Sequence, residues 1–159
     1  MLVEEAEGWR LVVDPLKSPY CVLVGGRSWA AELTADEARA LRRGLGRLQE
    51  EHRAAASMLM EEEIIELEIE IQLLPTQGAS NTNGSGERAG GLWIGLEGNR
   101  DSWEIRFVLT PSGSGRRGIE GGWPAGVSAG FTAALNLSTA GIFSEHLLDS
   151  EQRLDQSQL

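Results

Sequence analysis

Two stretches of this chain carry the same order of signals, alternating strands and then a marked helix start, and that repetition constrains the fold more than any single motif. The first has strand-like segments at 8–14, 20–24 and 28–33 and enters a helix at Thr34. The second has them at 65–73, 92–97 and 103–109, followed by Gly122, Trp123, Pro124 and a shorter helix. With 159 residues the chain can bury one core but not two independent ones. The expected fold is therefore α+β: duplicated β-β-β-α units whose antiparallel sheets pack with one long and one short helix around a shared core.

The local chemistry supports this order. Trp9, Leu11 and Val13 alternate with Arg10, Val12 and Asp14, and Pro15 to Pro19 form a turn because proline cannot donate to a ladder. Gly25-Gly26 predicts a two-residue hairpin with positive φ angles between Tyr20–Val24 and Arg27–Leu33. Thr34 and Glu37 have the spacing of a capping box, in which each satisfies a free backbone N–H at the helix start. From there Ala38, Leu41, Leu45, Leu48, Ala55 and Leu59 form one apolar stripe, with His52 filling its gap. A helix from 35 to about 62 would be about 40 Å long against roughly 23 Å for a seven-residue strand. Its far half, with Met58, Leu59 and Met60, is expected to pack on the second unit or on another chain.

In the second unit, Ile65, Leu67, Ile69, Ile71 and Leu73 alternate with Glu66, Glu68, Glu70 and Gln72, giving one face to the core and one to water. Leu92, Ile94 and Leu96 alternate with Trp93, Gly95 and Glu97; Trp103, Ile105, Phe107 and Leu109 alternate with Glu104, Arg106 and Val108. Pro124 suits a first helical position, and Val127, Phe131 and Leu135 supply the inward stripe of a helix ending near Leu137. The expected organisation is a disordered N-terminus at 1–7, a single α+β domain at 8–137 with a flexible polar insertion at 75–91, and a disordered tail at 138–159.

Composition narrows the function. A formal charge of −10 opposes a polyanion as main partner unless a basic patch is segregated locally. The single cysteine, Cys21, cannot form an internal disulfide and fits a reducing compartment. With no apolar run of membrane-spanning length and no leader-like N-terminus, the expectation is a soluble cytoplasmic protein without a membrane partner.

Catalytic chemistry finds little foothold. His52 reads as a packed, hydrogen-bonded residue, Cys21 lacks an activating neighbour, and the Glu61–Glu70 carboxylates line up along a strand instead of converging as Ca²⁺ ligands. No catalytic, cofactor or metal residue is assigned. Single-strand binders need a basic groove and exposed aromatics. Trp93 is the strand aromatic whose parity turns it away from the core, and Arg106 is the one cation among the outward Glu66, Glu68, Glu70, Glu97 and Glu104. Other candidate contacts are Arg39, Arg42, Arg43 and Arg47 on the helix and Arg116 and Arg117 in a glycine-rich loop.

Gly8-Trp9-Arg10-Leu11, the Leu23–Thr34 hairpin and helix start, Met60-Glu61-Glu62-Glu63 and the Arg117–Pro124 run together resemble a small cyanobacterial family, domain of unknown function 1818. The likeness covers residues 8–74 and 92–136. It implies a fold similar to the single-stranded-DNA-binding transcriptional regulators, the Whirly-like group, and it brings no catalytic residues or cofactors. One more glycine separates Glu120 from Trp123 here than in that family, and the 75–91 insertion is longer. The reading that results is a non-enzymatic binding domain whose partner is a protein or a second copy. The alternative is a nucleic-acid-binding or transcription-associated regulator that uses the helix and loop arginines.

Overall fold

In the computed structural model, described over residues 1–73, 89–113 and 118–139, the chain forms two four-stranded antiparallel meanders, each followed by a helix. Sheet 1 comprises β1 (Leu2–Ala6), β2 (Trp9–Val13), β3 (Val22–Gly25) and β4 (Ala30–Leu33), and helix α1 (Ala35–Ala56) follows it. Sheet 2 comprises β5 (Ile65–Leu73), β6 (Gly90–Gly98), β7 (Trp103–Thr110) and β8 (Ile119–Trp123), and a second helix, α2, spans 128–139. The units are β-β-β-β-α, one strand longer than the sequence pattern suggests.

The extra strands lie where alternation is weakest. Residues 1–7, expected to be disordered, contain β1, which pairs Val3 with Val12 and Glu5 with Arg10. Glycine-rich β8 pairs with β7 along its length, Ile105 opposite Trp123 and Leu109 opposite Ile119. Gly90 and Gly91, assigned to the insertion, begin β6, and Ser138 and Thr139, assigned to the tail, continue α2. Residues 75–88 of the insertion and 140–159 of the tail lie outside the described residues.

Three local readings change as well. The β3–β4 connection is longer than a two-residue hairpin and is closed by Gly26 N–H donating to the Trp29 carbonyl at 2.9 Å, and neither Gly25 nor Gly26 has positive φ. Glycine is needed at 26 for a different reason: a Cβ there would lie 2.2 Å from Trp29 Nε1. Pro124 precedes a turn instead of occupying the first helical position, because Gly126 at φ +91° interrupts the chain before α2 begins. The long helix stops at Ala56, so residues 57–64 form turns.

The capping box forms as expected: Glu37 N–H donates to Thr34 Oγ1 at 3.2 Å, and Thr34 N–H donates to the Glu37 carboxylate at 2.9 Å. Helix α1 then crosses to the other unit and lies on the inner face of sheet 2. Gly44 permits the approach, since a Cβ there would stand 2.5 Å from Ile94 Cδ1 and 3.1 Å from Ile71 Cδ1. Farther along, buried His52 donates from Nε2 to the Asn99 carbonyl at 2.8 Å in the β6–β7 turn. Beyond that turn the burial falls away, although Ala55, Ala56 and Leu59 stay half-buried. Met58 and Met60 are 84% and 72% exposed and do not pack on the second unit.

Helix α2 makes the reciprocal crossing. Phe131 meets Trp9 of sheet 1 edge to face at 6.2 Å, and Val127 sits against Gly8. Between the sheets, Trp123 stacks on Phe131 at 3.8 Å and on Phe107 at 5.6 Å, touches Trp29 at 5.2 Å, and donates its indole N–H to the Gly25 carbonyl at 3.0 Å. Helix α1 thus packs on the opposite unit's sheet, α2 bridges Trp9 of sheet 1 and Trp103 and Trp123 of its own sheet, and one core serves both.

The two helix glycines separate packing from propensity. Gly46 is exposed, and a Cβ added there would meet nothing within 4 Å, so Gly46→Ala should raise stability by about 1 kcal/mol. Gly44→Val should lower it by about 1–3 kcal/mol through overpacking against Ile94. Urea denaturation of both variants checks the pair.

Candidate functional site

Strand alternation sends the apolar set of sheet 2 inward and leaves a polar outer face. The register groups that face into three cross-strand rows. Glu66, Glu97 and Glu104 form the first; Glu68, Gly95, Arg106 and Gly122 the second; Glu70, Trp93, Val108 and Glu120 the third. Two acidic neighbours thus flank Glu97 directly, an arrangement that opposes like charges across roughly 5 Å.

Trp93 gives this face its relief. Its ring lies over Gly95, where a Cβ would come within 2.6 Å of Cη2, and its Nε1–H donates to the Glu68 carboxylate at 3.2 Å. Beside the ring is an open concavity of about 390 Å³, bounded by Trp93, Glu66, Glu68, Glu97, Glu104 and Arg106. Four carboxylates surround one guanidinium, so the hollow favours a cationic or neutral guest beside an aromatic wall.

The sequence candidates do not come together. Trp93 and Arg106 share the outer concavity, whereas Arg39, Arg42, Arg43 and Arg47 belong to α1, which packs on the inner face of the same sheet. Arg39 pairs with Asp36 at 2.7 Å, Arg47 with Glu51 at 3.5 Å, and Arg42 donates to Asn136 of α2 at 3.0 Å; Arg43 is exposed. Arg116 and Arg117 lie outside the described residues. The aromatic platform and the helix cations are therefore on opposite sides of sheet 2.

Sequence reasoning missed Glu120 on this face because no strand was assigned to the glycine-rich run that forms β8. It also missed the role of Gly95, although a glycine inside an alternating strand is a signal of close approach. Cys21 is half-buried; desolvation pushes its thiol up, Asp14 adds to the effect, and a backbone hydrogen bond opposes it. That leaves it a poor nucleophile. Among the described residues no three His, Cys, Asp or Glu side chains gather as metal ligands, and no helix is long and apolar enough to cross a membrane.

Fold and face together define an α+β domain built from two interlocked β-β-β-β-α units with one acidic sheet surface. The model of the domain of unknown function DUF1818 matches residues 4–84, about half of the sequence, and the chain belongs to that family. A protein of unknown function from the DUF155 family of Prochlorococcus sp. NATL2A has a similar crystal structure, with a TM-score of 0.65 and 25% identity over 87% of this chain and 98% of that one. No curated protein matches the chain.

The crowded first row makes a measurable prediction. Glu97→Lys replaces two like-charge cross-strand pairs with opposite-charge pairs and should stabilise the fold by up to about 1 kcal/mol at low ionic strength. The gain should shrink in high salt, as urea titrations at two salt concentrations would reveal.

Proposed function

We propose that this chain is a non-enzymatic protein-interaction domain and that the outer face of sheet 2 is its contact surface. The observation that carries the reading is the ring of four carboxylates around Trp93 and Arg106. A half-buried tryptophan beside a concavity offers a partner side chain apolar area, and the carboxylates select a partner with lysine or arginine at that point. The same charges repel phosphate, which removes the favourable electrostatic term on which single-strand binding depends.

The second reading, a nucleic-acid-associated regulator of the Whirly-like kind, draws on the paired sheet-and-helix architecture, on the arginines of α1 and on Arg116 and Arg117 of the loop. Against it stands the separation of those arginines from Trp93 by the thickness of a sheet. Fold likeness alone is a weak warrant for function.

A photocrosslinking residue at the exposed position 97, used in cell extract, should capture protein and no oligonucleotide. In parallel, a fluorescently labelled single-stranded oligonucleotide should show no salt-sensitive anisotropy change with the purified chain. Steeply salt-dependent oligonucleotide binding, lost on adding carboxylates to α1 or abolished by Trp93→Ala, would reverse the order of the two readings.

A further inference from the structure

We infer that the outer edge of β5 is a strand-addition site for an extended segment of a partner protein in which apolar residues alternate with lysine or arginine. The inference rests on the protein-binding reading above and specifies how, and by what chemistry, a partner engages.

Strand β5 is the longest edge available: nine residues, roughly 30 Å, paired on one side with β6 and, among the described residues, with no strand on the other. Its inner side is incompletely covered. Leu67 and Ile69 are half-buried, although their cross-strand partners Leu96 and Ile94 are 1% and 0% exposed. Helix α1 packs along β5, with Gly44 beside Ile69 and Ile71, yet Leu67 and Ile69 keep part of their surface open to water at the sheet edge. Ile64, immediately before the strand, is 61% exposed, and Met60 is 72% exposed. Unpaired backbone groups and an open apolar flank occur together, which is what β-augmentation requires: main-chain bonds supply affinity and alternate side chains supply specificity.

The outward side chains decide the occupant. An added strand continues the pleat, so its outward residues stand about 5 Å from Glu66, Glu68 and Glu70. A second copy pairing antiparallel through the same edge would set these glutamates against themselves, and parallel pairing through it would turn the copy over and set them beside its apolar Leu67 and Ile69. The glutamates thus guard the edge against self-association. They also fix the charge of what it admits: a strand with lysine or arginine at alternate positions, and apolar residues between them to cover Leu67 and Ile69.

The test uses the full chain, residue-resolved amide exchange and a capped peptide of about four Lys-Val repeats, long enough to span most of β5. In the free protein, the alternate β5 amides that point away from β6 should exchange fast, and peptide should slow them at least about tenfold. N-methylating the peptide residues that face β5 should abolish the effect, as should replacing its lysines with glutamate. The exposed substitutions Glu66→Lys, Glu68→Lys and Glu70→Lys combined should transfer the preference to the Glu-Val peptide; the wild-type and N-methyl results stand even if that variant fails to fold.

Several results would overturn the inference. Protection of those amides in the free protein means the edge is covered by the chain itself, or by a second copy if protection grows with concentration. Absence of peptide binding, or binding that survives N-methylation, removes strand addition. Partner crosslinks around Trp93 with β5 exchange unchanged would discard the edge and keep the protein-binding reading, whereas salt-sensitive oligonucleotide capture would discard both.

Discussion

The hydrogen bond from the Trp123 indole to the Gly25 carbonyl is the point at which two separate meanders become one structure. Donor and acceptor belong to different sheets, 98 residues apart in sequence, and the bond is buried. A buried carbonyl deprived of its donor costs about 1–3 kcal/mol, so the orientation of sheet 1 against sheet 2 is fixed by a polar requirement as well as by packing. Around it Trp29, Phe107, Trp123 and Phe131 form a continuous aromatic block to which both sheets and α2 contribute. The crossing of the helices follows from the same design. With α1 packed chiefly on sheet 2 and α2 reaching from Trp123 of its own sheet to Trp9 of sheet 1, the helices tie the two units together.

Much of this was legible wherever one residue type had one physical reason to be present. The alternation of β5, β6 and β7 assigned every outward glutamate correctly, because a period of two leaves no choice once the apolar set is buried. The Thr34–Glu37 box fixed the start of α1. Its end was harder to read: Ala54, Ala55 and Ala56 favour helix, and the stripe can be extended to Leu59, but the surface that stabilises the helix ends at the β6–β7 turn, where His52 meets Asn99. Strands β1 and β8 were missed because adjacent glutamates and paired glycines carry little intrinsic strand preference; their ladders are made by β2 and β7.

The site was half visible for a related reason. Parity reveals the side of a sheet on which a residue lies, whereas only register reveals its neighbours. That Glu97 stands between Glu66 and Glu104, and that Trp93 rests on Gly95, depends on how three strands slide past one another. The helix arginines were grouped with Trp93 as candidate contacts although a sheet intervenes, because the crossing of α1 to the second unit depends on contacts distant in sequence. The acidic outer surface is in turn a product of the shared core: turning the apolar residues of sheet 2 inward leaves its carboxylates on the outer face.

Native-state amide exchange on the wild type and on Trp123→Phe tests the single shared core most directly. The slowest amides of β2 and β3 and those of β6 and β7 should open with the same free energy, and the substitution should lower both by the same amount, about 1–3 kcal/mol. Distinct opening free energies for the two sheets, with only one of them responding to the loss of the indole N–H, would contradict the account.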